Sequence, residues 1–403
     1  MRLRSAALNV GLSLAVVAVM LLLGEGLARV LIGRSGGGKE QNEYAQYQVH
    51  DPVLGWRNRP NARVVFRRRE YEVELQTNAQ GLRDRERTYD GPAFRVLALG
   101  DSFVEGYSVP FDVSVTQVME QRLARPACPL EVINAGVANY STDQEYLAYR
   151  LEARRYHPQV VVLFFYYNDV LATISAVQYG RPKPVLDFRA APPVVANEPV
   201  PPPSPPPAVP KPSRPARGGS VLWDWAQERL QHVPRVYDAL ARLGLVRPFR
   251  PTYPPRELEV YRRRATPEVD RAWRQVDRIL GALASETAAH TARFLVAYIP
   301  SRFEVNDRDL ELTRIWYGLD EANWGRAPVL RRLRAIGEAH GFPVLDLTPA
   351  LRSVDRPFGR GPYYQYDGHW NAVGHQAAAA AITQWLVAQD WLPRCARASN
   401  GSR

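Results

Sequence analysis

Four short blocks carry side chains that could do chemistry together. The first is Leu99-Gly100-Asp101-Ser102-Phe103 and the second is Asn134-Ala135-Gly136. The third is Asn168-Asp169 and the fourth is Asp367-Gly368-His369-Trp370-Asn371. A serine hydroxyl is a poor nucleophile until a base takes its proton. A histidine such as His369 can do so at neutral pH. Asp367, two residues earlier, can accept the other imidazole N–H and fix the tautomer. The N–H groups of Ser102 and Gly136 and the amide of Asn168 are neutral donors of the kind that hold a developing oxyanion.

Each block alone says little, since Gly-Asp-Ser occurs often by chance. What discriminates is where the blocks fall. Arg95–Leu99, Leu130–Asn134 and Gln159–Tyr166 read as short buried strands, the last of them almost wholly apolar, as a sheet covered on both faces requires. Ser114–Arg125 and Thr142–Tyr156 read as the intervening helices. After a long interruption come helix Glu268–Ala292, strand Arg293–Ile299, helix Val329–His340, strand Pro343–Leu347 and helix Ala372–Ala388. The expected fold is α/β: a three-layer α/β/α sandwich on a five-stranded parallel sheet. Parallel strands end on one edge, so Ser102, Gly136 and Asn168 should lie together at its carboxyl end.

The rest of the chain divides around this core. Ser5–Gly24 is an uncharged run of 20 residues behind Arg2 and Arg4. As a helix it would span roughly 30 Å, the thickness of a bilayer core. Without a convincing cleavage site it reads as an uncleaved signal anchor, with 1–34 as the transmembrane region. Residues 35–93 read as a β-rich stem, with a strand or hairpin at Arg63–Gln76. Residues 94–393 form the catalytic domain, interrupted by an insert at 171–290; 394–403 is a tail. Fourteen prolines between Pro182 and Pro215 make residues 182–217 unfit for helix or interior sheet. The insert leaves the sheet at Asn168-Asp169, as a lid or polymer-binding arm or as a solvated spacer. A helical stretch, Val221–Leu243, follows.

Composition sets outer bounds. The chain has 403 residues, 46% hydrophobic and 23% charged, which excludes global disorder and disulfide scaffolds. A net charge of +11 suits an acidic partner, but only Lys39, Lys183 and Lys211 among 52 basic residues are lysines. That bias fits an Arg-rich coding background, and no nucleic-acid-binding pattern accompanies it. Cys128 and Cys395 could form one bridge. His375 reads as helix surface or packing, and His50, His157, His232, His290 and His340 lack an acidic partner in a comparable loop. No catalytic metal and no cofactor is expected. Trp223, Trp225, Trp316 and Trp324 could stack on sugars or fill cores.

In their order and spacing the four blocks resemble the GDSL/SGNH hydrolase superfamily, over roughly residues 94–170 and 290–390. The family's Ser, Gly, Asn and His match Ser102, Gly136, Asn168 and His369. The stem segments Asp51–Trp56 and Asn78–Asp84, and Ile299-Pro300-Ser301-Arg302, are similar to membrane-anchored bacterial members. Most members carry the acid three residues before the histidine; here position 366 is Tyr and the acid is Asp367. Asp-x-His-Trp is similar to proteins of polysaccharide O-acetylation. The resemblance implies an acyl-enzyme on Ser102, released to water or to a sugar hydroxyl. It points to a serine esterase or acyltransferase acting on O-acyl, chiefly O-acetyl, groups of an envelope glycan. The partners it implies are an acylated glycan, the membrane through residues 5–24 and a membrane acyltransferase. The expected location is the bacterial inner membrane, with the catalytic domain outside the cytoplasm; basic residues flank both ends of the span, so charge counts do not set its orientation. Two alternatives are a lipase or lysophospholipase fed by the bilayer and a non-catalytic polysaccharide-binding protein.

Overall fold

Successive side chains of a strand point to opposite faces, and in this protein the two sets enter two different cores. Leu97, Leu99, Ile133, Val161 and Leu163 face one layer, with Tyr146, Trp273, Ile279 and Leu333. Val96, Ala98, Val132, Val162 and Leu295 face the other, with Met119, Leu351, Ile382 and Leu386. A computed structural model describes residues 2–35, 43–68, 70–125, 128–203, 220, 222–223, 226, 230, 233–246, 256–356 and 361–393. Two compact units result: Glu43–Ser204 with Arg250–Arg403, and Met1–Asn42 with Pro205–Phe249.

The first unit carries thirteen described strands. In chain order, β1 is Gln48–Asp51, β2 Gly55–Asn58, β3 Arg63–Arg67 and β4 Glu72–Gln76. Next come β5 Phe94–Gly100, β6 Leu130–Gly136 and β7 Val160–Phe165. Four two-residue strands follow: β8 Val177–Gln178, β9 Arg181–Pro182, β10 Leu186–Asp187 and β11 Val194–Val195. Last are β12 Arg293–Tyr298 and β13 Val344–Asp346. The central sheet has the order β13-β12-β7-β5-β6, all parallel. Counted along the chain this is 2-1-3-4-5, with its switch point beside β5, where open α/β sheets put their sites. Helices Thr142–Leu151, Pro267–Ala289 and Pro328–His340 cover one face; Val115–Leu123, Thr348–Val354 and Ala372–Ala388 cover the other. The expected five-stranded sandwich is present. The helix expected over 142–156 stops at Leu151 and gives way to a 3-10 turn, Ala153–Tyr156.

The stem is two antiparallel hairpins, β1–β2 and β3–β4, the second where Arg63–Gln76 predicts it. The proline-rich insert begins with ordered segments. β8–β9 and β10–β11 are short hairpins, and Lys183 buries its ammonium on Asp143 (2.5 Å) and the Ala172 carbonyl (2.9 Å). Arg181 lies over the Trp56 ring at 4.2 Å. Residues 204–219 of the insert, Trp225 and the tail 394–403 lie outside the described residues, as does most of 221–232. Trp324 is buried in the core, whereas Trp223 is half exposed. Cys128 is disulfide-bonded; Cys395 is outside the described residues.

In the second unit, Arg2–Ser35 is one 34-residue helix. Among the described residues no helix is long and apolar enough to cross a membrane. The side chains of residues 5–11 and 14 of the predicted span are outside those described.

Candidate active site

Ser102 is the first residue of a short helix, Ser102–Glu105, that leaves β5 at the carboxyl edge. Asp101 caps that helix by accepting the Phe103 N–H at 2.9 Å. His369 sits in the loop before helix Ala372–Ala388, and its Nε2 is 2.8 Å from Ser102 Oγ. On the far side of the ring, Nδ1 is 2.5 Å from Asp367 Oδ1. Serine, imidazole and carboxylate thus form one hydrogen-bonded line.

The two-residue spacing works because of the residue between. Gly368 has φ +82°, a conformation that costs other residues energy. It turns the chain back so that the Asp367 carboxylate meets the ring two residues on. Both ends of the loop are fixed. Asn371 caps the next helix by accepting from Val373 and Gly374, and donates to the Gly361 carbonyl. Arg302 donates to the carbonyls of Tyr364 and Gln365, which gives the Ile299–Arg302 segment its place.

The stem closes on the same loop. Glu70, at the tip of the β3–β4 hairpin, accepts the N–H groups of Gln365, Tyr366 and Asp367 at 2.7, 2.8 and 3.1 Å. Next to it, the Tyr71 hydroxyl donates to Asp367 Oδ2 at 2.7 Å. Tyr107, packed with Tyr47, Phe66 and Tyr71 in a small aromatic core, brings its hydroxyl to 3.2 Å from His369 Nδ1. Arg83 is buried and donates to the carbonyls of Glu105, Gly106 and Val109, fixing the chain after the serine helix. Tyr47 and Asn58 hold the Glu105 carboxylate from the stem side.

These contacts set the protonation states. Burial alone would raise the Asp367 carboxyl. The His369 charge, its hydrogen bond and that of Tyr71 outweigh burial and bring it down to about 2. Burial favours neutral His369, but the Asp367 charge and hydrogen bond prevail, so its pKa is raised above 6.5. The neighbouring Asp101 is pushed up by burial to about 6. A permanently charged acid beside a more basic imidazole is the pairing a serine nucleophile needs.

The predicted oxyanion donors fare differently. Ser102 is in place, and its N–H has no acceptor among the described residues. Gly136 is corrected: its N–H donates to Asn134 Oδ1 at 3.0 Å, and an added Cβ would meet the Glu105 nitrogen at 2.4 Å. This glycine lets the serine helix lie against β6; its donor is spent within the protein. The turn that follows offers another. Asn139 has φ +68° in a turn closed by the Tyr140 N–H on the Val137 carbonyl. It is partly exposed, and among the described residues its N–H has no acceptor. Trp56 and Gln48 of the stem pin this turn by donating to the Ala138 carbonyl. Asn168 precedes helix Asp169–Ala172, and its Nδ2 donates to the Tyr179 hydroxyl at 3.2 Å; the amide's second proton remains for a ligand.

Of the two readings of His375, surface or packing, packing is the one found. It is buried, and its Nδ1 accepts the Val115 N–H at 3.1 Å. Sequence reasoning missed Glu70, Tyr71, Tyr107 and Asn139. Only Asn139 had a local signal, since asparagine tolerates the left-handed conformation a tight turn demands.

A Ser-His-Asp line at the switch point of a parallel 2-1-3-4-5 sheet defines a serine hydrolase of the α/β class. Residues 98–377 match the GDSL-like Lipase/Acylhydrolase family, and the chain belongs to that family. It is a serine hydrolase acting on ester bonds. Among solved structures it is similar to the lipase/acylhydrolase of Enterococcus faecalis, with 14% identity over 76% of this chain and 100% of that one, TM-score 0.38. It is also similar to a catalytic mutant of Axe2, an acetylxylan esterase from Geobacillus stearothermophilus (13%, 77% and 100%, TM-score 0.35). A third is TesA (13%, 74% and 99%, TM-score 0.37). No curated protein matches the chain. Among the described residues no cluster of His, Cys, Asp or Glu could hold a metal ion.

Proposed function

We propose that this protein is a membrane-anchored esterase or acyltransferase that removes or moves O-acyl, chiefly O-acetyl, groups of an envelope glycan. The observation that carries the chemistry is the line from Ser102 Oγ through His369 to Asp367 at 2.8 and 2.5 Å. His369 Nε2 takes the Ser102 proton as Oγ bonds to the ester carbonyl carbon. The carbonyl electrons move to oxygen, held by the Ser102 N–H, the Asn168 amide and the Asn139 turn. When the C=O re-forms, the C–O bond to the alcohol breaks and Nε2–H protonates the leaving oxygen. The acyl-enzyme then passes its acyl group to water or to a sugar hydroxyl, with His369 again the base.

Three observations support the finer parts. Asp-x-His-Trp is intact, and Gly368 gives its short spacing a physical basis. Leu12, Val16, Val17, Met20, Leu22 and Leu23 on the N-terminal helix are each more than half exposed, an apolar surface that favours a bilayer over water. A disulfide at Cys128 suits an oxidising compartment outside the cytoplasm. The test is to trap the acyl-enzyme with an aryl acetate and then add glycan fragments. Acetylated sugar would mark a transferase and release to water alone an esterase. No acyl-enzyme, with the glycan ester left intact, would overturn the proposal.

A further inference from the structure

A groove outside the catalytic line carries three arginines without an ion-pair partner among the described residues. Helix Pro267–Ala289 presents Arg271, Arg274 and Arg278 at spacings of three and four, hence along one helix face. All three are exposed, and among the described residues none has a carboxylate at ion-pair distance. The nearby acids are taken by other bases. Asp270 pairs with Arg332 at 2.6 Å, Asp277 with His340 at 2.8 Å, and Asp187 with Arg189 at 2.5 Å.

The arginines line two adjoining cavities of about 280 and 490 Å³ that share Arg278. The opposite wall is the start of the insert, including Thr173, Ile174 and Leu186. That wall is fixed: Gln275 donates to the Leu186 carbonyl at 2.8 Å, and the buried Lys183–Asp143 pair anchors the hairpins behind it. Thr173 follows Asn168 by five residues, mostly helix, about 8 Å along the axis. Thr173 in the groove wall is thus joined to the Asn168 amide through helix Asp169–Ala172.

We infer that this groove binds an anionic polysaccharide strand, with carboxylates of uronic acid residues on Arg271, Arg274 and Arg278, so that an acyl group on the chain reaches Ser102. Guanidinium groups match carboxylates in two-point hydrogen bonds, and a walled trough suits a polymer better than a flat lipid surface. The inference rests on the glycan-ester reading above.

Titrating the full chain with hexagalacturonate, maltohexaose and phosphatidylglycerol vesicles tests it. Hexagalacturonate should bind and weaken with added salt, and maltohexaose should not bind. R271Q/R274Q/R278Q should lose at least tenfold in affinity, and R274K alone should keep most of it. An unchanged affinity in the triple variant, no binding by the wild type, or arginine-dependent binding of vesicles without hexagalacturonate would overturn it. If the triple variant melts early, single glutamine variants give the same readout. Fluorophosphonate labelling of Ser102 in the wild-type protein needs no groove, so it reports separately on the hydrolase.

Discussion

The Tyr71 hydroxyl donates a 2.7 Å hydrogen bond to Asp367 Oδ2 across 296 positions of chain. With Glu70 accepting three N–H groups of the same loop, it makes the stem part of the catalytic line. The prediction is that Tyr71→Phe lowers kcat about tenfold with little change in KM, since one hydrogen bond to a charged group is lost. Asp367→Asn should cost about 10³- to 10⁴-fold, because the wrong tautomer then faces Ser102. Steady-state kinetics on an aryl acetate checks both. Full activity in Tyr71→Phe would reduce the stem to packing.

The pH profile follows from His369. Only the neutral imidazole can take the serine proton, and its pKa is raised above 6.5, burial being outweighed by the Asp367 charge. kcat/KM should therefore fall as pH drops, with a midpoint above 6.5. In Asp367→Asn the largest raising influence goes, while burial and the smaller Asp101 charge remain, so the midpoint should move down. A midpoint that stays put would mean Asp367 does not control the ring.

His375 predicts an acid sensitivity of the fold itself. Burial, then the charges of Arg83 and His369, hold it down to about 3, and its unprotonated Nδ1 serves the Val115 N–H. Below about 6.5 the unfolded chain takes up a proton that the folded chain refuses until near pH 3. Stability from this residue is thus complete above 6.5 and lost as pH falls, by up to about 1.4 kcal/mol per pH unit. Thermal melts between pH 7 and 4 should show the loss, and His375→Gln should flatten it. Parallel curves for the two proteins would contradict this.

Two residues of the second block separate structure from catalysis. Gly136→Ala should lower Tm markedly, since its Cβ would meet the Glu105 nitrogen at 2.4 Å and Val104 Cβ at 2.7 Å. Asn139→Gly keeps both the N–H and the left-handed turn, so kcat should stay within about threefold. A hundredfold loss would shift the role from the Asn139 backbone to its side chain.

Much of this was legible in the sequence because local pattern and position agree. The apolar runs of β5, β6 and β7, each ending in a polar block, fix the sheet edge and place Ser102, and the helix Ala372–Ala388 falls where its pattern predicts. The stem's role was not legible. Glu70 and Tyr71 sit in an ordinary hairpin turn, and what they hold lies almost 300 positions away. Gly136 misled for a related reason. A glycine after a strand suits a free donor and a close packing contact equally, and the choice depends on Asn134 Oδ1 reaching back to it. For His375 the sequence leaves helix surface and packing both open, and the helix Val115–Leu123 opposite it decides for packing.

The most direct test of the central claim is intact-protein and peptide mass spectrometry after brief mixing with an aryl acetate. The account predicts one acetyl group on the peptide carrying Ser102, absent in Ser102→Ala and strongly reduced in His369→Ala. An acetyl group on another residue, or equal acetylation in Ser102→Ala, would contradict it.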